Sequence, residues 1–192
     1  MLLDMDVLWR HKEIRWSTNH DIALVRVERC LIPTNPALIQ PLAGVSFRTD
    51  RSTVAPWSDS MARRFEEVEV GSDAILFGYP SSLGLPDVPQ IDPDAPLLRK
   101  GLIAGKNLRQ HRIILDGPSY QGNSGGPVAI REPQENLFPI RYNYALVGIL
   151  VEWVPFSEGW QNTRYRYSNQ TLSNSGYSIV EPIDIALDLV WE

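Results

Sequence analysis

The second half of the chain is a succession of short apolar runs separated by turn-forming residues, and this pattern constrains the fold more than any other feature. The runs have the length and the aliphatic and aromatic content of buried strands. They occupy residues 73–80, 97–104, 112–115, 127–130, 144–151 and 176–180. Six strands with turns between them predict an all-β fold built on a small closed antiparallel barrel.

The stretches around these strands carry their own signals. Residues 81–96 are rich in proline and aspartate and residues 155–175 are polar, so both are predicted to be surface loops. Gly101, inside the second run, indicates a β-bulge. After Pro182, apolar residues recur at helical spacing, which predicts a C-terminal α-helix over about residues 182–191, packed on the barrel.

The first third of the chain is less regular. Residues 7–16 alternate loosely and predict one or two exposed strands. Asp21–Val27 predicts a strand that is apolar, and therefore buried, on both faces. Prolines and turn formers then dominate, with Val45–Phe47 as a possible short strand. We therefore divide the chain into a first segment (1–30), a long connector (31–67) and the barrel with its helix (68–192).

Composition excludes several classes of function. The chain has 192 residues and a net charge of −5 with no basic patch, so nucleic acid is not an expected partner. No apolar run approaches the roughly 20 residues that span a bilayer, and no membrane span is expected. The spacing of Cys and His indicates no metal or other cofactor site.

Cys30 is the only cysteine, so no internal disulfide is possible, and we expect it to be a small core residue. The first residues lack a basic segment and do not form a signal peptide, and the compartment is not predicted.

The residues that indicate a catalytic function lie in Gln121–Val128, where a serine stands among three glycines. Glycine permits backbone conformations that a side chain forbids, and it lets the backbone approach a ligand closely. Ser124 can thus present its hydroxyl, with the amides of Gly122 and Ser124 beside it. Acyl transfer needs this combination of a nucleophile and donors directed at the developing oxyanion. The alternative is a glycine-rich hairpin whose serine only bonds its own backbone.

The string Gly-Asn-Ser-Gly-Gly-Pro-Val at 122–128 resembles the nucleophile loop of trypsin-like serine peptidases, in the bacterial form with Asn before the serine. His20–Val27 is similar to the strand that carries this family's triad aspartate. The resemblance implies a chymotrypsin-like double antiparallel β-barrel, with the first barrel partial, the second complete and a helix at the end. It implies that Ser124 is the nucleophile, that Asp21 orients a histidine, and that the amides of Gly122 and Ser124 form the oxyanion hole. A peptide or protein would be the substrate.

The same resemblance implies a substrate pocket. Its floor would be Pro118, six residues before the serine, where no acid is present to select Arg or Lys at the cleaved position. The remaining pocket residues would be Ser119, Tyr120, Gln121, Val151, Glu152 and Trp153. Glu152 could favour a basic residue at a neighbouring subsite. Asn123 replaces the aspartate that pairs with a newly cut N-terminus in zymogen-type relatives, so activation by that ion pair is not expected.

The histidine of the triad cannot be assigned. His20 adjoins Asp21, and neighbouring strand residues point to opposite faces. His111 lies at the far end of its strand, roughly 20 Å from Pro118 at about 3.3 Å per residue. His11 stands in a charged stretch typical of a solvated face. We expect either that the family's histidine-bearing strands precede residue 1 or that the base has been lost. In both cases the chain is predicted to be inactive or nearly so.

Two other interpretations remain. Gly-x-Ser-x-Gly is also the elbow of α/β-hydrolases, but that fold needs a helix directly after the serine and a later histidine. Here Pro127 and a strand pattern follow, and no histidine comes after His111. The stronger alternative is a non-catalytic binding or scaffold module on the peptidase fold. In-frame sequence upstream with a histidine motif would favour the enzyme over that module.

Overall fold

The computed structural model describes residues 2–30, 39–46, 57–78, 96–120, 122–134, 141–162, 164 and 167–190. The chain divides into two compact units, one formed by Met1–Trp57 with Ile185–Glu192 and the other by Ser58–Asp184. The strands are β1 (Leu2–Leu3), β2 (Ile14–Trp16), β3 (Ala23–Val25), β4 (Glu28–Cys30), β5 (Ile39–Pro41), β6 (Val45–Ser46), β7 (Asp73–Gly78), β8 (Leu97–Asn107), β9 (Arg112–Asp116), β10 (Pro127–Pro133), β11 (Tyr142–Asn162) and β12 (Tyr167–Pro182). The α-helices are α1 (Met5–Arg10) and α2 (Ile183–Leu187), and 3-10 turns cover Asp59–Met61 and Phe65–Glu67.

The first unit begins with a helix where strands were predicted, so that prediction for residues 7–16 is wrong over its first part. Asp4 caps α1, because its Oδ1 accepts a hydrogen bond from Val7 N at 3.1 Å. Leu8 is fully buried while Trp9 is exposed, which gives the helix one packed face. The alternation does describe β2, which pairs antiparallel with β3.

Short antiparallel pairs make up the rest of this unit. β1 pairs with β6, and β4 pairs with β5. The predicted strand at 21–27 shortens to β3, with Asp21 in the bend before it. Ile22 is buried, but Ala23 is exposed and Leu24 and Val25 are only half-buried. The prediction that this strand is buried on both faces is therefore wrong. Cys30 ends β4, and the burial of its side chain lies outside what the structure describes.

The second unit is a six-stranded antiparallel sheet in the order β10-β11-β12-β9-β8-β7. The two ends of this order also pair, because β7 bonds to β10 through Ala74–Leu76. Alternate residues of the strands lie on one face of the sheet and, together with Phe65 and Val68, form one apolar cluster. Its members are Phe65, Val68, Ala74, Leu76, Ile103, Ile113, Leu115, Val128, Ile130, Ala145, Val147, Leu150 and Val180. The prediction of a mostly β fold with few helices is confirmed.

Two details of the sheet correct the sequence analysis. Gly101 stays in register opposite Ala74, and the irregularity between β8 and β9 lies instead between Ile103 and Gly105. Gly101 is needed for another reason: a Cβ there would lie 2.7 Å from the carbonyl oxygen of Asp116. Residues 155–175, predicted as a polar loop, lie largely in the two long strands β11 and β12, which pair as far as Asn162 and Tyr167. Pairing between the two strands satisfies the backbone there although the large apolar side chains of Phe156, Trp160 and Leu172 are exposed.

The predicted C-terminal helix is present but shorter than expected. α2 covers Ile183–Leu187, and turn hydrogen bonds continue to Val190. Ile183 and Ala186 are buried, as the spacing required. Asp184 is also buried, and its Oδ1 accepts a hydrogen bond from Phe65 N at 3.3 Å.

Two acidic side chains of the sheet, Asp73 and Glu181, form ion pairs with basic side chains of neighbouring strands. Asp73 accepts a hydrogen bond from Arg131 at 2.6 Å and lies 3.0 Å from the ammonium of Lys100. The hydrogen bond from Lys100, together with the charges of both cations, lowers the pKa of Asp73 below its usual range, against the effect of burial. Glu181 is completely buried, and its Oε1 lies 2.9 Å from Arg112 Nη2.

Candidate functional site

Ser124 lies in a tight bend between β9 and β10. Gly122 and Gly125 have φ of 92° and 86°, a region that a residue with a side chain adopts only under strain. Between them Asn123 is buried, and it closes the bend twice. Its amide donates to the carbonyl of Tyr120 at 3.0 Å, and its side-chain oxygen accepts from the amide of Tyr120 at 2.9 Å. The positive φ angles of the bend thus explain why glycine stands at positions 122 and 125.

Two further glycines let the bend pack against β7. A Cβ on Gly126 would lie 2.4 Å from the carbonyl oxygen of Phe77. A Cβ on Gly78 would lie 2.5 Å from the side-chain nitrogen of Asn123. The bend is therefore pressed onto the end of β7, with no room for a methyl group at either position.

The hydrogen-bonding of the amides in this bend is selective. Those of Asn123, Gly125 and Gly126 each donate to a backbone carbonyl. Within the described part of the chain, the amides of Gly122 and Ser124 donate to no acceptor. These are the two amides that the sequence analysis predicted as oxyanion donors, and that role stays a prediction.

The hydroxyl of Ser124 is exposed and donates to the carbonyl oxygen of Val151 at 3.0 Å. Among the described residues, no histidine makes a hydrogen bond to it. Ser124 lines a cleft with a volume of about 430 Å³. The cleft is lined by Phe77, Gly78, Pro96 and residues 122–127.

His111 is held elsewhere in this unit. Its Nε2 lies 2.9 Å from Asp184 Oδ2, and its ring lies against Phe65 with centroids 4.2 Å apart. The residue has φ of 53° in the turn between β8 and β9. Because Asp184 and Phe65 fix the imidazole, the geometry gives it no contact with Ser124, as the sequence analysis expected.

The other candidates for the triad belong to the first unit. Asp21 is exposed in the bend before β3. His11 follows α1 and is exposed, and the amide of His20 donates to Ser17 Oγ at 3.2 Å. Ser124 and Asp21, the predicted nucleophile and its predicted acid, therefore belong to different units, and their pairing stays a prediction.

The predicted pocket residues fall into two groups. Pro118, Ser119 and Tyr120 form the segment between β9 and the bend, with Ser119 buried and the other two exposed. Val151, Glu152 and Trp153 follow one another in β11, and Val151 is the one that a hydrogen bond joins to Ser124. Gln121 lies outside the described residues.

Some supporting residues were missed by the sequence analysis. Ser178 of β12 bonds the hydroxyl of Ser119 at 2.7 Å, and Asn174 donates to the carbonyl oxygen of Ser119. The guanidinium of Arg99 lies over the ring of Tyr120, 4.8 Å from its centroid. These contacts join positions far apart in sequence, so no local pattern signals them.

The described residues contain no group of three or more His, Cys, Asp or Glu side chains that could hold a metal ion. None of the helices described is long and apolar enough to cross a membrane. Comparison with known proteins finds no family model that matches this chain, and no curated protein matches it.

Proposed function

We propose that this chain carries the nucleophile-bearing half of a trypsin-like serine peptidase, in which Ser124 attacks the peptide carbonyl to form an acyl-enzyme. The fold we propose is the chymotrypsin-like double barrel, with the closed six-stranded sheet as the second barrel and the first unit as part of the first. The supporting observation is the bend itself, which combines the exposed Ser124 with two backbone amides, those of Gly122 and Ser124, that have no acceptor among the described residues. Such donors stabilise the negative oxygen that forms in the transition state.

The unit also fits this function in what lies behind the serine. Strand β10 begins at Pro127, two residues after Gly125, and no helix follows the bend. An α/β-hydrolase elbow requires a helix at that position. The order of strand, tight bend and strand is therefore compatible with a peptidase barrel and not with the elbow.

The missing element is the base. The Ser124 hydroxyl donates a hydrogen bond to the carbonyl oxygen of Val151, which cannot act as a general base at neutral pH. We propose that Asp21 orients a histidine that this chain does not supply at Ser124, so that acylation is slow. Catalysis that lacks one triad member retains about 10³–10⁴-fold over water.

The hydrogen bond to Val151 also favours a second candidate, a non-catalytic module that binds extended peptides in the same cleft. In that case Ser124 contributes to the shape of the bend and forms no covalent intermediate. The two candidates differ in one property, the reactivity of this single oxygen.

A fluorophosphonate probe tests the proposal, because it phosphonylates a serine only where an oxyanion site supports the attack. We expect slow labelling of Ser124, identified by mass spectrometry of the modified peptide, and a marked acceleration by added imidazole, which replaces the base. The Ser124→Ala variant removes the label, and the Ser157→Ala variant of another exposed serine retains it. An unlabelled Ser124 at high imidazole concentration would leave the binding module as the function.

A further inference from the structure

The long hairpin beyond the sheet is the largest feature that the proposed function leaves unused. Its two arms are residues 155–162 of β11 and 167–174 of β12, which we call the ribbon. They pair in continuous register, from Pro155 opposite Asn174 to Asn162 opposite Tyr167. Pairing of β11 with β10 ends at Ile149, and pairing of β12 with β9 begins at Tyr177. Within the described residues, the arms of the ribbon therefore have no strand partner but each other.

The ribbon has two different faces. Phe156, Glu158 and Trp160 alternate along β11 and so share one face. Phe156 is 52% exposed and Trp160 is 64% exposed, so two large aromatic rings stand in solvent on this face. On the other face, Gln170 Nε2 donates to Ser157 Oγ at 2.7 Å. That face also carries the exposed Leu172, opposite Ser157, so the two large aromatic rings are confined to the face of Phe156 and Trp160.

The outer edge of β11 connects this face to the serine. The last contacts of β11 with the bend are the two hydrogen bonds at Leu150 and the acceptance of the Ser124 hydroxyl by Val151. Beyond them this edge has no strand partner among the described residues, and β11 continues into the ribbon after two irregularities in its pairing with β12, between Leu150 and Glu152 and between Trp153 and Pro155. Unpaired amides and carbonyls on such an edge are a template for an added strand.

We propose that the ribbon is a docking arm for an extended polypeptide, the segment that precedes the bond presented to Ser124. This inference rests on the proposed function. A strand added antiparallel to β11 runs from the tip of the ribbon toward the serine, so its N-terminal residues contact the ribbon. From Val151 to Trp160 the arm is roughly 30 Å long at about 3.3 Å per residue, and engaging it takes about ten residues.

The side chains of the arm define which polypeptide fits. Residues opposite each other in neighbouring strands interact directly, and an opposite charge or an apolar pair is favourable there. An apolar residue suits the positions beside Phe156 and Trp160, and Lys or Arg suits the position beside Glu158. Strands β11 and β12 contain no Lys or Arg, so no basic group of these strands competes for that residue. The arm thus selects a proline-free apolar-x-basic-x-apolar segment.

Fluorescence anisotropy with the Ser124→Ala chain tests the arm without turnover. The probes are a labelled 14-residue peptide that carries the apolar-x-Lys-x-apolar segment in its N-terminal half, and its last six residues alone. We expect the long peptide to bind at least about tenfold more tightly than the short one. Trp160→Ala should weaken the long peptide about fivefold, the equivalent of about 1 kcal/mol. Leu172→Ala, an equally exposed apolar residue on the opposite face, is the matched control and should change nothing.

Two further comparisons examine charge and backbone. Glu158→Lys should weaken the Lys peptide and strengthen a Glu version of it. Two versions of the long peptide, N-methylated at the odd or at the even amides, test the backbone contacts. Only one set of amides faces the edge of β11, so one version should lose the tighter binding of the long peptide and the other should keep it. Equal affinities of the long and short peptides, or equal effects of Trp160→Ala and Leu172→Ala, would overturn the docking arm. So would sedimentation showing a dimer that Trp160→Ala dissociates, since a second copy would then be the occupant.

The labelling experiment separates this inference from the proposed function. Labelled Ser124 with no effect of the ribbon variants overturns the arm and leaves the peptidase. Ribbon-dependent binding without any labelling, even with imidazole, overturns the nucleophile and leaves an arm that binds extended polypeptide.

Discussion

Substitution of Gly126 by alanine should be the most damaging small change to the bend. The added Cβ would lie 2.4 Å from the carbonyl oxygen of Phe77 and 2.9 Å from that of Asn123. Ordinary contact begins at 3.4 Å, so the bend and β7 must separate by about 1 Å. Both obstacles are backbone atoms and cannot rotate away. The hydrogen bonds from Gly126 N to Asn123 O and from Leu150 N to Gly126 O must lengthen as well.

The expected loss follows from these terms. Overpacking costs about 1–3 kcal/mol, and weakening two backbone hydrogen bonds adds about 1 kcal/mol each. We expect Gly126→Ala to lower the free energy of unfolding by about 3 kcal/mol or more. Gly125→Ala meets no atom within 4 Å but has φ of 86°, so it should cost about 1–2 kcal/mol. Gly159→Ala meets neither obstacle and should stay within about 0.5 kcal/mol of the parent chain.

Urea unfolding followed by tryptophan fluorescence measures the three variants on one scale. The urea midpoint should be highest for Gly159→Ala, lower for Gly125→Ala and lowest for Gly126→Ala. Fluorophosphonate labelling of Ser124 should decline in the same order, because the donors move with the bend. Equal midpoints for Gly126→Ala and Gly159→Ala would mean that the bend does not lie against β7, and the argument for preformed donors would fail with it.

Two other predictions concern the charges that brace the sheet. Since the pKa of Asp73 is lowered in the folded chain, its contribution to stability is present above its unfolded pKa of about 3.8 and is lost as the pH falls through the folded value. Asp73→Asn should therefore reduce stability at pH 6, and the difference from the parent in urea midpoint should shrink steadily as the pH is lowered below 3.8; a constant difference down to the lowest pH would contradict this. Arg112→Leu removes the cation that lies 2.9 Å from the buried carboxylate of Glu181 and should cost about 3–5 kcal/mol, whereas the Arg112→Leu/Glu181→Leu pair should cost less. A double-mutant cycle measures the coupling, and additive losses would show that the pair does not interact.

The sequence predicted those parts of the fold that depend on local patterns. Apolar runs identified the six strands, and glycine spacing identified the bend around Ser124. Predictions failed where tertiary contacts decide. Asp4 caps a helix whose residues alternate like a strand, and nothing in the composition of 155–175 distinguishes a hairpin from a loop. The contacts that fix Asn123 and Ser119 join distant segments and have no local signature.

The hydrogen bonds that hold the bend around Ser124 involve none of the groups that would transfer a proton in catalysis. Each hydrogen bond that fixes Asn123, Gly125 and Gly126 comes from the second unit, which also holds Phe77 and Leu150. No contact of the bend in the described chain depends on Asp21 or on a histidine. The hydrogen bonds that fix the bend therefore form whether or not a base stands at Ser124. Under the proposed function, loss of the base slows acylation and leaves the bend unchanged, so the imidazole-dependent labelling rate should report on the proton acceptor alone. A bend that could not be labelled at any imidazole concentration would have lost its donor geometry as well, and the peptidase proposal would have no remaining support.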